Sequence, residues 1–124
     1  MYDLLPFREH PLWQGVFRHE LTLDQILQAE KQHYLRTKAG QVLRRESALN
    51  APPGSKSIFE AAVSNYLEEV APDQSHPSHL DLIKRLLVSG GIRPTQLGRT
   101  QPTPGNAAAM ALYRDIANRG AADA

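Results

Sequence analysis

Cysteine is absent from this 124-residue chain. That removes thiolate catalysis, cysteine-ligated zinc and any disulfide framework, and it is compatible with a reducing cytoplasm. Net charge is nearly absent too, since 14 Lys+Arg stand against 13 Asp+Glu and leave +1. The basic residues are scattered, with no cluster denser than Arg44-Arg45 or Lys84-Arg85. Pairs of that kind belong to solvated helix faces, so no nucleic-acid partner is expected. No stretch approaches the ~20 apolar residues of a membrane helix. Asp3 and Pro6 come too early for a signal peptide, so a soluble cytoplasmic protein is expected. A serine nucleophile elbow, a phosphate-binding glycine loop, a dinucleotide fingerprint and zinc-ribbon spacing are all missing, and Gly90-Gly91 reads only as a helix stop. There is no strand pattern and no internal repeat.

What is present is helical periodicity in a chain of ordinary globular composition, 41% apolar and 22% charged. The length suits one small domain, expected over residues 1–120 with 121–124 as a frayed tail. A first short helix is expected from Pro11 to His19, with Leu12, Trp13, Val16 and Phe17 as its apolar face. Thr22 and Gln25 form a capping box that opens the longest helix, which runs to about Ala48, and Leu21 is placed to staple onto Ile26. After the Asn50-Ala-Pro-Pro-Gly-Ser break, Ser57 with Glu60 opens a third helix ending near Pro72. Ser78 with Asp81 starts a fourth, whose apolar side is Leu82, Ile83, Leu86 and Leu87. A link from Arg93 to Gly105 follows, and Thr103-Pro104 caps a fifth helix carrying Met110, Leu112, Tyr113 and Ile116. The expected fold is all-α, a five-helix antiparallel bundle.

One charge is out of place in this pattern. Leu23, Ile26, Leu27 and Tyr34 define an apolar stripe, and Glu30 falls near its centre with His33 and Thr37 along one edge. Glu69 lies beside the stripe of Ile58, Phe59, Ala62 and Tyr66 on the next helix. A buried carboxylate costs several kcal/mol unless it is protonated, paired or metal-bound. Glu30 and His33 have the Glu-x-x-His spacing found in di-iron carboxylate bundles, where a facing helix supplies a further Glu. That makes Glu30, His33 and Glu69 candidate metal ligands, with His79 a further one if its ring turns inward, and carboxylate with imidazole suits non-haem iron or manganese. The rival is a Glu30 hydrogen-bonded to Tyr34, Tyr66 or an arginine from another helix. Glu68 points away from the apolar face and His76 reads as a surface loop residue, whereas His79 is open to either role. Tyr34 and Tyr66 are core aromatics or candidate substrate-binding residues.

The segments Glu9-His-Pro-Leu-Trp-Gln, His19-Glu-Leu-Thr-Leu-Asp-Gln-Ile and Gln32-His-Tyr resemble the opening helices of the haem-oxygenase-like superfamily. The branch they are most similar to holds the pyrroloquinoline quinone biosynthesis oxidase, the TenA-type thiaminases and the haem-oxygenase-like di-iron oxidases. Tyr66-Leu-Glu-Glu-Val, His76-Pro-Ser-His and Leu86 to Ile92 continue the likeness. The resemblance implies a helical domain with a central pocket, in which Glu30, Glu69 and His79 or His76 match the early metal ligands. The family's domain is nearly twice as long and carries a late His-and-acid cluster, so the chain resembles only its N-terminal half: a fragment, one chain of a split pair, a partner of its own copy, or a shortened relative that has lost the chemistry. Three functions follow from it: an iron-dependent oxidoreductase (or half of one) acting on a small organic substrate, a metal-free or thiaminase-like small-molecule binder, or a non-catalytic helical interaction module. Helices taken from a larger bundle leave inner faces uncovered, so an oligomer is expected, most simply a homodimer or a complex with the missing half.

Overall fold

A computed structural model describes residues 6–70 and 76–119 of the chain. These residues hold no strand and are arranged as a 3-10 turn, Phe7–Glu9, followed by six helices. The helices are α1 (Pro11–Phe17), α2 (Leu23–Leu49), α3 (Lys56–Val70), α4 (His79–Ser89), α5 (Pro94–Gly98) and α6 (Pro104–Asn118). The expected end of the third helix near Pro72 and the tail lie outside the described residues. No helix among the described residues is long and apolar enough to cross a membrane.

The chain is organised around α2, whose 27 residues span roughly 40 Å at 1.5 Å per residue. Its start is fixed by the expected capping box. The Gln25 N–H donates to Thr22 Oγ1 at 3.2 Å and the Thr22 N–H donates to Gln25 Oε1 at 2.9 Å. Helices α3, α4 and α6 all pack on α2, and α3 also meets α4. The apolar core forms where α4 and α5 meet α2, from Leu27, Tyr34, Leu80, Ile83, Leu87 and Leu97.

Helix α4 begins where Ser78 Oγ accepts from the Asp81 N–H at 3.2 Å. It ends in a Schellman motif, with the Ile92 N–H on the Leu87 carbonyl and the Gly91 N–H on the Val88 carbonyl. Gly91 takes the left-handed conformation that this motif requires, at φ 96°. Gly90 does a second job beyond stopping the helix. A Cβ there would collide with Leu27 Cδ2, so its bare backbone is what lets α4 come close to α2.

Four expectations need correction. There are six helices, because the Arg93 to Gly105 link folds into α5. Pro94 sits in its first turn, the Arg93 N–H donates to Gln96 Oε1 at 2.8 Å, and Leu97 drops into the core. The buried side of α4 is Leu80, Ile83 and Leu87, aligned three and four apart, and it leaves Leu82 and Leu86 exposed. Leu23 and Ile26 are exposed as well, so the buried stripe of α2 begins at Leu27. Beside these, Leu21 packs on Gly15 of α1, where an added Cβ would lie 2.9 Å from Leu21 Cδ2. The third helix also opens at Lys56, which puts Ser57 inside its first turn. The apolar face of α1 stays open, with Leu12, Val16 and Phe17 exposed and Trp13 against the Phe7 ring at 4.3 Å.

Helix α6 is tied to α2 by polar contacts. Gln32 Oε1 accepts from the Thr103 N–H at 2.9 Å and from Asn106 Nδ2 at 2.9 Å, while Asn106 Nδ2 also reaches the Gln32 carbonyl at 3.1 Å. Asn106 is buried. Replacing Asn106 with Ala is expected to cost about 1 kcal/mol, the usual net worth of such bonds. It should also raise amide hydrogen exchange in α6 ahead of α2, and unchanged exchange in α6 would show that apolar contacts alone hold the helix.

Candidate functional site

The four candidate ligands come together from three helices, in a line. On α2, Glu30 and His33 are one turn apart, and Glu30 Oε2 lies 3.1 Å from His33 Nδ1. The Ser78 cap sets His79 as the first residue of α4. Its ring meets the His33 ring edge to face, with centroids 5.2 Å apart and planes at 70°. Near the end of α3, Glu69 Oε2 lies 3.4 Å from His79 Nδ1, and Glu69 Oε1 lies 3.3 Å from an Arg44 Nη of α2. Gln41 of α2 donates to the Glu69 backbone carbonyl at 3.1 Å, which holds this end of α3 against α2. The sequence of contacts is therefore Glu30, His33, His79, Glu69, Arg44.

Glu69 is the most enclosed of these side chains, 16% exposed against 45% for His79 and 37% for Arg44. Its Oε2 is buried without a hydrogen bond, because the 3.4 Å approach of His79 is within ion-pair reach but poorly aligned for one. Glu30 sits at the margin of the buried stripe, 28% exposed, and its partner is the imidazole one turn on. Glu68 is exposed and accepts from Ser64 Oγ at 3.4 Å.

Each imidazole meets its carboxylate through Nδ1. For His33 the carboxylate hydrogen-bonded at Nδ1 favours the tautomer that leaves Nε2 free for a ligand, whereas His79 has only the ion-pair contact with Glu69. The donor set of two imidazoles and two carboxylates has the right chemistry for iron. The arrangement does not: the carboxylates are engaged with the rings, and no three His, Asp or Glu side chains among the described residues are gathered to hold a metal ion. These residues fit iron poorly as they stand.

Both imidazoles open onto a cleft of about 700 Å³. Its α2 wall carries His33, Arg36, Thr37, Gly40 and Arg44, and its apolar surfaces include Ile58 of α3 with Met110 and Ile116 of α6. The two tyrosines read as substrate-binding are not part of the lining. Tyr34 is a core residue and Tyr66 is half-buried elsewhere on α3. The residues that sequence reasoning passed over are Arg36, Gly40, Arg44 and Tyr113. A signal for three of them existed. His33, Arg36, Gly40 and Arg44 recur at three- and four-residue steps, so they form a second, polar stripe beside the apolar one. Comparison of the chain with protein-family models, curated proteins and solved structures finds no match.

Proposed function

We propose that the chain binds a small organic molecule in the cleft bordered by α2, α3 and α6. It acts on that molecule by proton transfer, with His33 and His79 as the groups that reach it. The observation that carries this reading is the pair of imidazoles facing one cleft, each set against a carboxylate at Nδ1. His33, hydrogen-bonded at Nδ1 to Glu30, presents Nε2 as a base, and at each ring the nearby carboxylate stabilises the imidazolium that forms on accepting a proton. A cleft of about 700 Å³ is in the size range of small-molecule sites. The reading falls in the metal-free branch of the haem-oxygenase-like resemblance. The iron-dependent oxidase reading requires Glu30 and Glu69 to turn from the rings to a metal, with further ligands from another chain. One feature favours it, the Glu69 Oε2 left without a hydrogen bond.

A panel of aromatic and heterocyclic small molecules, followed by NMR of the histidine rings, tests the proposal. Ligands are expected to perturb His33 and His79, and to bind about tenfold more weakly to His33→Ala and to His79→Ala, as loss of a polar contact predicts. Both residues are partly exposed, so both variants should stay folded. Ligands that bind both variants with wild-type affinity would place the site elsewhere. Ferrous iron serves the rival in the same samples. Wild type and Glu30→Ala are expected to bind it equally weakly, and a site present only in the wild type would restore the oxidase reading.

A further inference from the structure

The charge on the walls of the cleft is of one sign. Among the described residues that line it, the ionic side chains are Arg36, Arg44 and Arg119, with the two imidazoles beside them and no Asp or Glu. Arg119 is paired with Asp115 at 2.6 Å, and Arg44 is paired through one nitrogen with Glu69. Arg36 has neither an ion pair nor a hydrogen bond among the described residues. Two guanidiniums on one side of a helix with a single carboxylate between them leave positive charge for a ligand to answer.

Arg44, paired with Glu69, has room to lie toward the histidine end because a side chain is missing beneath it. Long helical side chains run back toward the N-terminus over the residue four positions earlier. For Arg44 that residue is Gly40, and a Cβ there would lie 2.7 Å from an Arg44 Nη. The guanidinium therefore occupies space that any other residue at position 40 would take. Glycine inside a helix is unfavourable relative to alanine, so the helix gains nothing from it locally. Its evident effect is to let the Arg44 side chain lie over the α2 backbone at Gly40, which is itself one turn from Arg36. Opposite them lie Ile58, Met110 and Ile116, which offer an apolar surface.

We infer that the cleft takes an organic carboxylate, with its apolar body against Ile58, Met110 and Ile116 and its carboxylate between Arg36 and Arg44. The guanidinium fork matches a carboxylate in two parallel hydrogen bonds, which an uncharged amide cannot accept. This inference rests on the proposal that the cleft binds small molecules, and names the class of molecule. Gly40 acts as a positioning residue, through Arg44.

The test is a backbone-amide NMR titration of the full chain with matched aromatic acids and their primary amides, such as 2-naphthoate and 2-naphthamide and their one- and three-ring relatives. The acid is expected to shift α2 and α6 amides at the cleft and to bind about tenfold more tightly than its amide, with added salt narrowing the gap. Arg36→Gln should remove most of that preference, and Gly40→Ala, by shifting the flexible tip of Arg44, a smaller part of it. Circular dichroism should show wild-type helix content in both, since alanine is the better helix former. Equal binding of acid and amide at the cleft would overturn the carboxylate assignment and leave the small-molecule reading standing. If no member of any pair shifts the cleft amides, both readings fall.

Discussion

Replacing Leu87 with alanine is expected to cost about 2–5 kcal/mol, the range measured for large-to-small changes at fully buried positions. Leu87 is the one side chain among the described residues with no exposure at all. It sits where three devices converge: the buried side of α4, the Schellman turn whose Ile92 N–H it accepts, and the close approach of α2 that Gly90 permits. The surrounding cluster is small, so little of the hole would be refilled by relaxation. A domain of this size has only about 5–15 kcal/mol of stability in all, so the variant should be partly unfolded at modest temperature. Leu82→Ala, on the exposed side of the same helix, should change stability by less than about 0.5 kcal/mol. Urea denaturation of the two variants checks the pair. Similar losses in both would mean that Leu82 is covered by something this chain alone does not supply.

That contrast bears on what could be read from the sequence. Local signals carried far. The Thr22–Gln25 box, the Ser78 cap and the Thr103 cap all open helices, since each depends only on a side chain reaching a backbone N–H three residues on. Glu30, His33, Glu69 and His79 were legible as a group, because a carboxylate beside an apolar stripe has few ways to be accommodated. Their partners were not legible. The periodicity of α2 gives Glu30 a direction but does not say that His33 satisfies it, nor that Glu69 from another helix faces His79. Which of two leucine pairs on α4 is buried depends on how α4 lies against α2, and Gly90 decides that by allowing Leu27 in. Helix α5 was hidden by composition, since proline, threonine and glycine suggest a loop. Pro94 in a first turn and Gln96 reaching back to the Arg93 N–H were helix signals in the same few residues. The cleft was missed for a related reason. Arginines at helical spacing look like a solvated face until α6 is placed opposite them.

The line of ionic contacts predicts an asymmetry between the two partners at its Arg44 end. Removing Arg44 leaves the Glu69 carboxylate enclosed at 16% exposure, with one oxygen already lacking a hydrogen bond and only His79 nearby. Leaving an enclosed charged acceptor unanswered costs about 1–3 kcal/mol, and Arg44→Ala should be destabilised by that amount. Removing Glu69 strands nothing comparable. Arg44 and His79 are each more than a third exposed, so both turn to water, and the poorly satisfied Oε2 is gone. Glu69→Ala should therefore lose less than about 1 kcal/mol, as exposed ion pairs do. The double variant Arg44→Ala/Glu69→Ala should be close to Glu69→Ala alone, because the cost of the first change is the carboxylate that the second removes. Urea denaturation of the three variants measures all of this in one cycle. If Glu69→Ala proves the more damaging single change, the carboxylate is an organising contact between α3 and its neighbours. The reading of Arg44 as the group that answers a buried charge would then have to be given up.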